Sequence, residues 1–471
     1  MDEKKCEIGI VGLGVMGRNL LLNTAEHGFP AAGYDKDPGR IHALQEAAGG
    51  LDIRGAAHPA ELAALLKIPR VVMMLVPAGP TVDAVIRDLL PHMARGDVIV
   101  DCGNSHFEDT DLRLKTLAGR GIHFLGIGIS GGEHGARHGP SIMPGGPRDA
   151  YERVKPVLEA VAARVGSEPC VAYLGPGSAG HFVKMVHNGI EYGLMQLISE
   201  TFDLMKRGAG LTDDELAAVY ERWNGGILEA YLLEITARIF RYVDEKTGKR
   251  LIGDILDEAS QKGTGKWTSR SAMDLRVPVP VVDAAVSSRD LSNVKAEREA
   301  ASLFIQGPGT LFGGRRAVFI DRLERALYAA SVITYAQGLA LLKAASSAYG
   351  YGLALGEVAR IWRGGCIIRA AVLEEIRSAL RNDPDLPNLL VDRRLGPEVA
   401  RRQEDLRVVV CNAARLGIPV PAFMAALAYF DGYRSGWLPA SLIQAQRDYF
   451  GAHTYERVDA KGVFHTKWEM D

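Results

Sequence analysis

The apolar and polar positions of this chain follow two different patterns, and the change between them comes near residue 175. Before it, short apolar runs alternate with segments of helical period, which is typical of a parallel sheet covered by helices. The runs that predict strands are EIGIV (7–11), AAGY (31–34), RVVMMLV (70–76), DVIVDCG (97–103) and IHFLGIGI (122–129). This alternation predicts a doubly wound α/β domain, which we place at residues 1–178.

After the segment LGPGSAG (174–180) the strand pattern almost disappears, and Ala, Leu, Glu and Arg recur at helical spacing. We therefore predict a large all-α domain over residues 179–436. Its two halves look duplicated, because VYERWNGGILEAYLLEI (219–235) and VARIWRGGCIIRAAVLEEI (358–376) both place W-x-G-G before an apolar-faced helix. The alternative explanation is chance similarity between amphipathic helices.

Residues 437–471 form a C-terminal tail that loses its helical period after Tyr449. Loose tails are usually polar and featureless. This one is rich in aromatic residues, Arg and His, so we predict that it is a binding segment.

Charge and cysteine content exclude several classes of protein. The 471 residues carry 55 Lys and Arg against 57 Asp and Glu, a net charge of -2 that argues against a general nucleic-acid binder. The five cysteines are scattered without a C-x-x-C pair, which predicts neither a disulfide framework nor a zinc site. No apolar run reaches the ~18 residues of a membrane span, and no signal peptide is evident. We expect a cytoplasmic protein.

A glycine motif at the N-terminus predicts a dinucleotide site. Gly12, Gly14 and Gly17 form G-x-G-x-x-G, with Val15 and Met16 between the last two, directly after a predicted strand and at the start of a helix. Glycines at these positions allow a tight turn and close approach of a pyrophosphate to the helix N-terminus. The domain is therefore predicted to be Rossmann-like.

The residues after the second strand bear on the choice of dinucleotide. Asp35 lies 18 residues past Gly17, where a carboxylate accepts hydrogen bonds from ribose hydroxyls and repels a 2′-phosphate. This placement favours NAD over NADP. Lys36 leaves NADP possible, because a cation beside the ribose accommodates a phosphate, and a turn cap before Pro38 is the structural alternative for Asp35.

The segment HFVKMVHNGIEYGLMQ (181–196) predicts a mostly apolar helix with a polar stripe. Lys184, Asn188 and Glu191 stand at i, i+4 and i+7 and share one face, and His187 and Tyr192 flank it. Such a stripe is either a structural polar network between helices or a reaction centre. Its position beside a dinucleotide domain and a Gly-rich SGG loop favours a reaction centre.

Nine motifs occur in one order along nearly the whole chain, and together they resemble the decarboxylating 6-phosphogluconate dehydrogenase family. They are GLGVMGRNL, MLVPAG (74–79), DCGNS (101–105), ISGGEHGARHGPSIMPGG (129–146), HFVKMVHNGIEYG (181–193), QKGTGKWT (261–268), SSRDLS (287–292), WRGGCIIR (362–369) and QRDYFGAHTYER (446–457). The first two suit any β-hydroxyacid dehydrogenase, whereas KGTGKW and QRDYFGAHTYER point to this activity.

The resemblance implies oxidation of 6-phosphogluconate by a nicotinamide dinucleotide, with release of CO2 and formation of ribulose 5-phosphate, in the pentose phosphate pathway and without a metal. It also implies a homodimer in which the tail of one subunit completes the active site of the other. Lys184 would then be the general base and Glu191 the acid that protonates the enediol. A free lysine has a pKa of ~10.4, so burial has to lower the pKa of this one.

The remaining site residues are assigned by the same resemblance and by their chemistry. Cofactor binding is expected at Gly12, Gly14, Val15, Met16, Gly17, Asp35, Lys36, Val76 and Asn104. Substrate binding is expected at Asn104, Ser130, Gly131, Gly132, His187, Asn188, Tyr192, Lys262, Thr264, Arg289, Arg447 and His453. Arg289 and Arg447 would be bidentate donors to the substrate, and Lys262 and Thr264 lie in a Gly-rich turn suited to a phosphate.

The chain shows three departures from the family pattern. Asp35-Lys36-Asp37 stands where many members have Asn-Arg-Thr, Pro77 replaces a lysine of MLVKAG, and Leu194 replaces an aspartate after IEYG. The first departure agrees with the NAD preference inferred from Asp35. The alternatives to the predicted activity are a β-hydroxyacid dehydrogenase for another small acid, an NADP-preferring version of the same enzyme, and a non-catalytic dinucleotide sensor.

Overall fold

A seven-stranded sheet forms the centre of the N-terminal part of the chain. The computed structural model describes residues 5–309 and 311–468, so residues 1–4 of the predicted first domain and 469–471 of the predicted tail lie outside the described residues. The strands are β1 (Ile8–Val11), β2 (Ala31–Tyr34), β3 (Ile53–Ala56), β4 (Val71–Met74), β5 (Val98–Asp101), β6 (His123–Ser130) and β7 (Ser141–Gly145). Their order in the sheet is β3-β2-β1-β4-β5-β6-β7.

Seven helices cover both faces of this sheet. They are α1 (Val15–Glu26), α2 (Pro38–Ala48), α3 (Pro59–Leu65), α4 (Pro80–Leu89), α5 (Phe107–Ala118), α6 (Gly132–His138) and α7 (Arg148–Val161). Strands β1, β4 and β5 are buried at all four positions, as expected of strands covered on both sides. The predicted doubly wound α/β domain is confirmed.

Two strands of the sheet were not predicted. β3 reads IRGA and β7 reads SIMPG, and neither has the apolar run that signals a buried strand. β7 also runs antiparallel to β6, which pairs Ser130 with Ser141, while the other neighbours in the sheet are parallel. The pattern of apolar runs indicated a parallel sheet, and the structure adds one antiparallel strand at this edge.

Beyond a short pair of strands, β8 (Arg164–Val165) and β9 (Glu168–Pro169), the chain is helical as predicted. The helices are α8 (Ala179–Asp203), α9 (Asp213–Asn224), α10 (Tyr231–Arg241), α11 (Thr264–Asp274), α12 (Pro280–Ser292), α13 (Lys295–Ser302), α14 (Arg316–Tyr349), α15 (Leu355–Ile361), α16 (Val372–Asn382), α17 (Leu395–Leu416), α18 (Pro421–Tyr433) and α19 (Ala440–Gly451). Shorter helical turns lie at 90–92, 204–208, 251–254 and 389–391. A hairpin of β10 (Tyr455–Glu456) and β11 (Val463–Phe464) follows α19.

The two W-x-G-G segments occupy equivalent places in the helical region. Trp223 at the end of α9 and Trp362 at the end of α15 are both fully buried, and each segment leads to the next helix, α10 or α16. The two loops also pair with each other, because Tyr231 N donates to Arg369 O at 3.1 Å and Ala371 N donates to Glu229 O at 2.8 Å. These contacts support the predicted internal duplication.

The long helix α8 joins the sheet to the helical region. A Cβ on Gly180 would lie 2.3 Å from the carbonyl oxygen of Gly126 in β6, and one on Gly128 would lie 2.3 Å from Lys184 Cβ. The missing side chains let α8 lie directly on the sheet, while its other sides contact α11, α12, α14 and α18. α8 begins at Ala179, next to the boundary predicted at residue 178; the division into domains stays a prediction.

The cysteines of the chain are mostly buried, and no described helix is suited to cross a bilayer. Cys102, Cys170 and Cys366 are buried free thiols, Cys411 is an exposed free thiol, and Cys6 is also buried. Over residues 5–309 and 311–468, none of the helices is both long and apolar enough to cross a membrane.

Candidate active site

The glycine-rich loop between β1 and α1 has the geometry that a bound pyrophosphate requires. Gly12 has a φ of 94°, and a Cβ there would lie 2.5 Å from a carbonyl oxygen of the loop after β4. A Cβ on Gly17 would lie 1.8 Å from Gly12 O, whereas Gly14 faces open space bounded by the Arg40 guanidinium. The N-terminus of α1, with Val15 half exposed, is therefore accessible to an anion.

Asp35 is buried at the end of β2 and holds the glycine-rich loop. Its carboxylate accepts hydrogen bonds from Leu13 N at 2.7 Å, Asp37 N at 3.0 Å and Arg40 Nη1 at 3.3 Å. A carboxylate offers about four lone-pair positions, so about one stays open to a ribose hydroxyl. The contacts support the turn-capping alternative for Asp35, and its contact with a ribose stays a prediction; Lys36 beside it is exposed.

A cleft of about 590 Å³ opens next to the glycine-rich loop. It brings together four predicted site residues from separate segments: Met16, Val76, Asn104 and Lys262. Lys262 comes from the helical region and the other three come from the α/β region, so the cleft lies where the two regions meet. Its size and its apolar lining, with a few polar groups, suit the nicotinamide half of a dinucleotide.

The polar face of α8 contains a hydrogen-bonded network. Asn188 Oδ1 accepts hydrogen bonds from Lys184 Nζ at 2.8 Å and from His187 Nδ1 at 3.1 Å. Because Nδ1 of His187 donates, its Nε2 accepts from Ser130 Oγ, 3.2 Å away at the end of β6. Glu191 Oε2 lies 3.8 Å from His187 Nδ1. The predicted stripe is therefore one connected cluster.

Burial favours the uncharged forms of the ionisable side chains in this cluster. Burial lowers the pKa of Lys184, against the opposing effects of the Glu191 carboxylate and the Cys366 thiol. Burial also raises the pKa of Glu191, which Lys184 and Arg289 oppose. The pKa of His187 lies well below its ordinary value because burial and the adjacent Lys184 both disfavour the imidazolium. A neutral amine and a protonated carboxyl are what a general base and a general acid need.

The SGG loop follows β6 and is kept in shape by the second W-x-G-G segment. Gly131 has a φ of 117°, and a Cβ there would lie 2.6 Å from Gly365 O. Ser130 is buried, and its Oγ receives a 3.5 Å contact from Ile367 N as well as facing His187. The free amides of Gly131 and Gly132 at the start of α6 are thus placed beside the network.

A cation lies over an aromatic ring at the far end of the polar face. The Arg289 guanidinium carbon stands 3.5 Å from the centroid of the Tyr192 ring, and Arg289 Nη1 donates to Ser260 O at 3.4 Å. Gly265 makes room for that ring, since a Cβ there would lie 2.5 Å from it. The guanidinium keeps exposed N–H groups that an anionic oxygen accepts.

The N-terminus of α11 faces the same region and is tied to α8. Thr264 is the first residue of α11 and is buried, and Gly263 before it has a φ of 93°. One turn on, Thr268 Oγ1 donates to Met185 O at 2.9 Å. This bond holds the helix N-terminus, a favourable place for a phosphate, at a fixed position relative to Lys184.

Two predicted substrate residues lie apart from this cluster. Arg447 is exposed on α19 and donates to Gln444 Oε1 at 3.1 Å. His453 follows α19 and packs against Phe450, with ring centroids 5.8 Å apart. The contacts described for both residues are with other residues of the tail.

Sequence reasoning missed several residues of the site. Trp267 and His106 also line the cleft, with ring centroids 4.9 Å apart. Trp362 packs edge-on against the His187 imidazole, with centroids 5.7 Å apart, and Cys366 lies near Lys184. Trp267 lies in KGTGKW, Trp362 and Cys366 lie in WRGGCIIR, and His106 directly follows DCGNS, so the ring-bearing residues in or beside these motifs were the available signal.

The two unexplained departures have different surroundings. Pro77 lines the cleft next to Val76, where a lysine would have added a cation. Leu194 is buried in the helical core, where it is enclosed by apolar side chains such as Ile198 and Leu228. An aspartate at this position would need a hydrogen-bond partner that leucine does not.

Comparison with known proteins gives one consistent result over nearly the whole chain. Residues 7–175 match the NAD binding domain of 6-phosphogluconate dehydrogenase, and residues 180–468 match the 6-phosphogluconate dehydrogenase C-terminal domain. A Bacillus subtilis (strain 168) relative described as NADP(+)-dependent, decarboxylating 6-phosphogluconate dehydrogenase is 50% identical over 465 residues, covering 98% of this chain and 99% of the relative. A Saccharomyces cerevisiae relative, decarboxylating 6-phosphogluconate dehydrogenase 2, is 48% identical and covers 97% of this chain and 93% of its own length.

One solved structure superimposes along the full length. The Plasmodium falciparum 6-phosphogluconate dehydrogenase, solved in its apo form and in complexes with NADP+ and with 6-phosphogluconate, has a TM-score of 0.95. It is 44% identical, and the match covers 98% of this chain and 100% of that one.

Proposed function

The chain belongs to the 6-phosphogluconate dehydrogenase family and is a decarboxylating oxidoreductase of that family, and we propose how its own residues carry out the reaction. The substrate is 6-phosphogluconate and the products are ribulose 5-phosphate and CO2. When bound, the nicotinamide dinucleotide supplies the hydride acceptor. The observation that carries the proposal is the buried amine of Lys184, hydrogen-bonded to Asn188 and with a lowered pKa.

In the first step Lys184 acts as the general base. Its neutral amine takes the proton of the 3-hydroxyl as hydride leaves C3, which forms a 3-keto acid and an ammonium. Asn188 holds the amine in place, and its oxygen accepts one of the N–H bonds in either protonation state. Burial favours the neutral amine that this step needs.

In the second step the carboxylate leaves as CO2. The electron pair of the broken C–C bond moves into the C3 carbonyl, and the Lys184 ammonium stabilises the negative oxygen of the resulting enediolate. Glu191, whose pKa is raised by burial, then gives its proton to the carbon that lost CO2. Because both groups stand on α8, their separation is set by helix geometry and does not depend on a loop.

We propose that local cationic and N–H groups bind the phosphate and the carboxylate of the substrate, since the protein has no positive net charge to attract them. We assign the phosphate to Lys262, Arg289 and the N-terminus of α11 at Thr264, which the fold places around Tyr192 and the cleft. The carboxylate is assigned to the SGG loop, with Ser130 and the amides of the two glycines. His187 and Asn188 are assigned to the sugar hydroxyls.

We further propose that the functional unit is a homodimer and that Arg447 and His453 complete the site of the partner subunit. In support, the contacts described for Arg447 and His453 are with other residues of the tail, Gln444 and Phe450, and not with the cluster on α8. Large apolar side chains are also exposed in two segments, the end of α13 with the loop after it and the tail. They are Leu303, Phe304, Ile305, Leu311, Trp437, Leu442, Ile443 and Phe450. Apolar exposure of this kind marks a protein–protein contact.

For the dinucleotide we propose NAD as the preferred substrate. Asp35 offers a carboxylate to a ribose hydroxyl, and a 2′-phosphate would have to compete with Asp35 and Asp37 for the guanidinium of Arg40. The competing candidate is NADP preference. It is favoured by Arg40, a cation beside Gly14, and by the NADP+ named for the Bacillus subtilis relative.

The dinucleotide proposal is tested by kcat/KM for 6-phosphogluconate oxidation with NAD and with NADP. We expect the wild type to prefer NAD. The Asp35→Asn variant should lower the ratio of kcat/KM with NAD to kcat/KM with NADP about tenfold, because it removes ~1.4 kcal/mol of repulsion between the Asp35 carboxylate and the 2′-phosphate of NADP. Asp37→Asn, which alters a neighbouring exposed carboxylate, is the control and should move the ratio less. A strong NADP preference of the wild type would overturn the assignment of Asp35.

The catalytic proposal is tested by product analysis. Purified protein should release one CO2 and form one ribulose 5-phosphate for each dinucleotide reduced, and the Lys184→Ala variant should do neither at a measurable rate. Turnover by Lys184→Ala at the wild-type rate would exclude Lys184 as the base. Dinucleotide reduction without CO2 would place the enzyme outside the decarboxylating reaction.

A further inference from the structure

The C-terminal tail is nearly all surface, with one exception. Among residues 433–468, all of which the structure describes, Asp448 alone is buried, with a relative exposure of 0%. A charged residue is seldom fully buried unless every oxygen is paired. In a segment whose large apolar side chains point outward, a carboxylate occupies the place that an apolar core residue would fill.

Four donors surround the two oxygens of Asp448. Oδ1 accepts from Thr454 N at 2.9 Å and His465 Nδ1 at 3.0 Å, and Oδ2 accepts from Thr466 N at 3.0 Å and Trp468 Nε1 at 2.8 Å. Burial by itself would raise the pKa of Asp448, but these hydrogen bonds together hold it well below its usual range. Asp448 therefore ties the end of α19, the turn after it and the last residues of the hairpin into one unit.

The turn that Asp448 holds is strained, and His453 lies at its centre. In the described residues only Arg276, Ala452 and Thr454 are non-glycine residues with positive φ, and the last two, at 46° and 61°, flank His453. Such conformations persist where the surroundings over-determine them. Here Ala452 N donates to Asp448 O at 2.9 Å and Thr454 N donates to the Asp448 carboxylate, so Asp448 fixes both strained residues.

Arg447, the other tail residue assigned to the substrate, precedes Asp448 directly on α19. A residue whose side chain is locked at four points also locks the rotation of the last helical turn. We propose that Asp448 is a positioning residue that presents Arg447 and His453, as a preassembled pair, to the active site of the partner subunit. This inference rests on the proposed role of the tail in the partner's site.

The first test is the Asp448→Asn variant, which keeps the shape of the side chain. An amide nitrogen facing Thr466 N and Trp468 Nε1 turns two hydrogen bonds into donor–donor contacts. We expect the KM for 6-phosphogluconate to rise tenfold or more, while the KM for the dinucleotide stays within twofold of wild type and the mass in solution stays that of the dimer. The control is Asp459→Asn, the same change at an exposed residue of the hairpin turn that pairs with Arg457, which should leave both KM values unchanged.

A merely structural role would move both KM values together and lower the dimer fraction, and that outcome would overturn the positioning role. So would an unchanged KM for 6-phosphogluconate. Should Asp448→Asn fail to fold, Trp468→Phe removes one of the four donors and is expected to raise the same KM by a smaller factor. No rise in that variant, in folded protein, would also count against the proposal.

A hybrid dimer separates this inference from the function on which it rests. One subunit carries Lys184→Ala and the other carries either Arg447→Ala or Asp448→Asn, with two affinity tags to isolate the hybrid. In each hybrid one site combines an intact Lys184 with the intact tail of the other subunit. We expect about half the wild-type activity per dimer, with a wild-type KM.

The outcomes of the hybrid experiment are distinct. Recovery in both hybrids supports both proposals. Recovery with Arg447→Ala but not with Asp448→Asn overturns the role of Asp448 in the partner's site and leaves the role of the tail intact. No recovery in either hybrid overturns the exchange of tails between subunits, and the inference with it.

Discussion

At the scale of single residues, the site depends on a lysine amine that is almost entirely buried. Lys184 is 6% exposed, and its Nζ has the Asn188 oxygen as a hydrogen-bond partner. Burying Lys184 lowers the stability of the native state, because burial disfavours the ammonium form whereas water solvates it fully in the unfolded chain. Since burial lowers the pKa of Lys184 below 10.5, stability falls as the pH drops from that value toward the lowered one.

The Lys184→Met variant tests this trade of stability for activity. We expect turnover to fall about 100- to 10,000-fold with loss of the base. Because the methionine side chain carries no charge to desolvate, we also expect the free energy of unfolding at pH 7 to rise by roughly 0.5–2 kcal/mol. Steady-state kinetics and urea denaturation measure the two effects, and a variant both inactive and less stable than wild type would contradict the second.

Much of the site could be predicted at this scale, because helix geometry alone puts Lys184, Asn188 and Glu191 on one face. The hydrogen-bond partners that other segments of the chain supply could not be predicted. Ser130 reaches His187 only because β6 passes beneath α8, and Asp448 finds His465 only because the hairpin folds back. Each is a contact between segments far apart or reversed in direction, and such contacts leave no periodic signal in the sequence.

At the scale of elements, α8 is also linked to α18 through a second buried acid. Glu200 accepts hydrogen bonds from Ala422 N at 2.8 Å, Phe423 N at 3.0 Å and Gln196 Nε2 at 3.0 Å. The first two donors belong to the N-terminus of α18, so Glu200 serves as a cap from outside that helix. Burial raises the pKa of Glu200 to about 7, although these hydrogen bonds oppose the shift.

The Glu200→Gln variant should make the pH dependence of stability visible. In the unfolded chain a glutamate ionises near 4.5, and in the native protein near 7, so wild-type stability falls as pH rises through this window. Glutamine resembles the protonated acid at every pH. We expect the variant to gain up to about 3 kcal/mol on wild type between pH 4.5 and 8, at 1.36 kcal/mol per pH unit of difference.

Chemical denaturation of wild type and variant at pH 5 and pH 8 measures this gain. Glu404→Gln, the same change on the exposed face of α17, is the control, since solvent screens that position. A difference between Glu200→Gln and wild type that stays constant with pH would show that Glu200 is ionised throughout.

The two strands that the sequence did not predict, β3 and β7, were missed for the same physical reason. β3 and β7 are short edge-side strands with Arg, Gly, Ser or Pro, and pairing with a neighbour decides their conformation rather than their own propensity. The five predicted strands are apolar along most of their length and were found within a few residues. The long helices α8 and α14 were predictable for the same reason, because their pattern repeats over many turns.

At the scale of the whole molecule, the exposed apolar side chains after α13 call for a partner surface. Phe304 and Ile305 are 83% and 76% exposed, more than most apolar residues of a lone globular protein. If a second copy of the chain covers them, a charge at this place should separate the subunits. The site would then lose the tail that we assign to it from the partner.

The Phe304→Glu variant is therefore expected to shift the protein from dimer to monomer and to lower kcat/KM together with the dimer fraction. Sedimentation across a range of protein concentrations, with activity measured in parallel, checks both. Leu112→Glu, at a 67% exposed leucine of α5, is the matched control and should leave mass and activity unchanged. If the Phe304→Glu variant is a fully active dimer, the segment after α13 is not part of the dimer interface.

The pairing of the two W-x-G-G loops has a consequence for how this chain tolerates insertions. Glu229 and Tyr231 of one loop exchange backbone hydrogen bonds with Arg369 and Ala371 of the other. A residue added to either loop would slide its N–H groups out of register with the carbonyls opposite. The two loops, about 140 residues apart along the chain, therefore set each other's length, and a change in one has to be matched in the other.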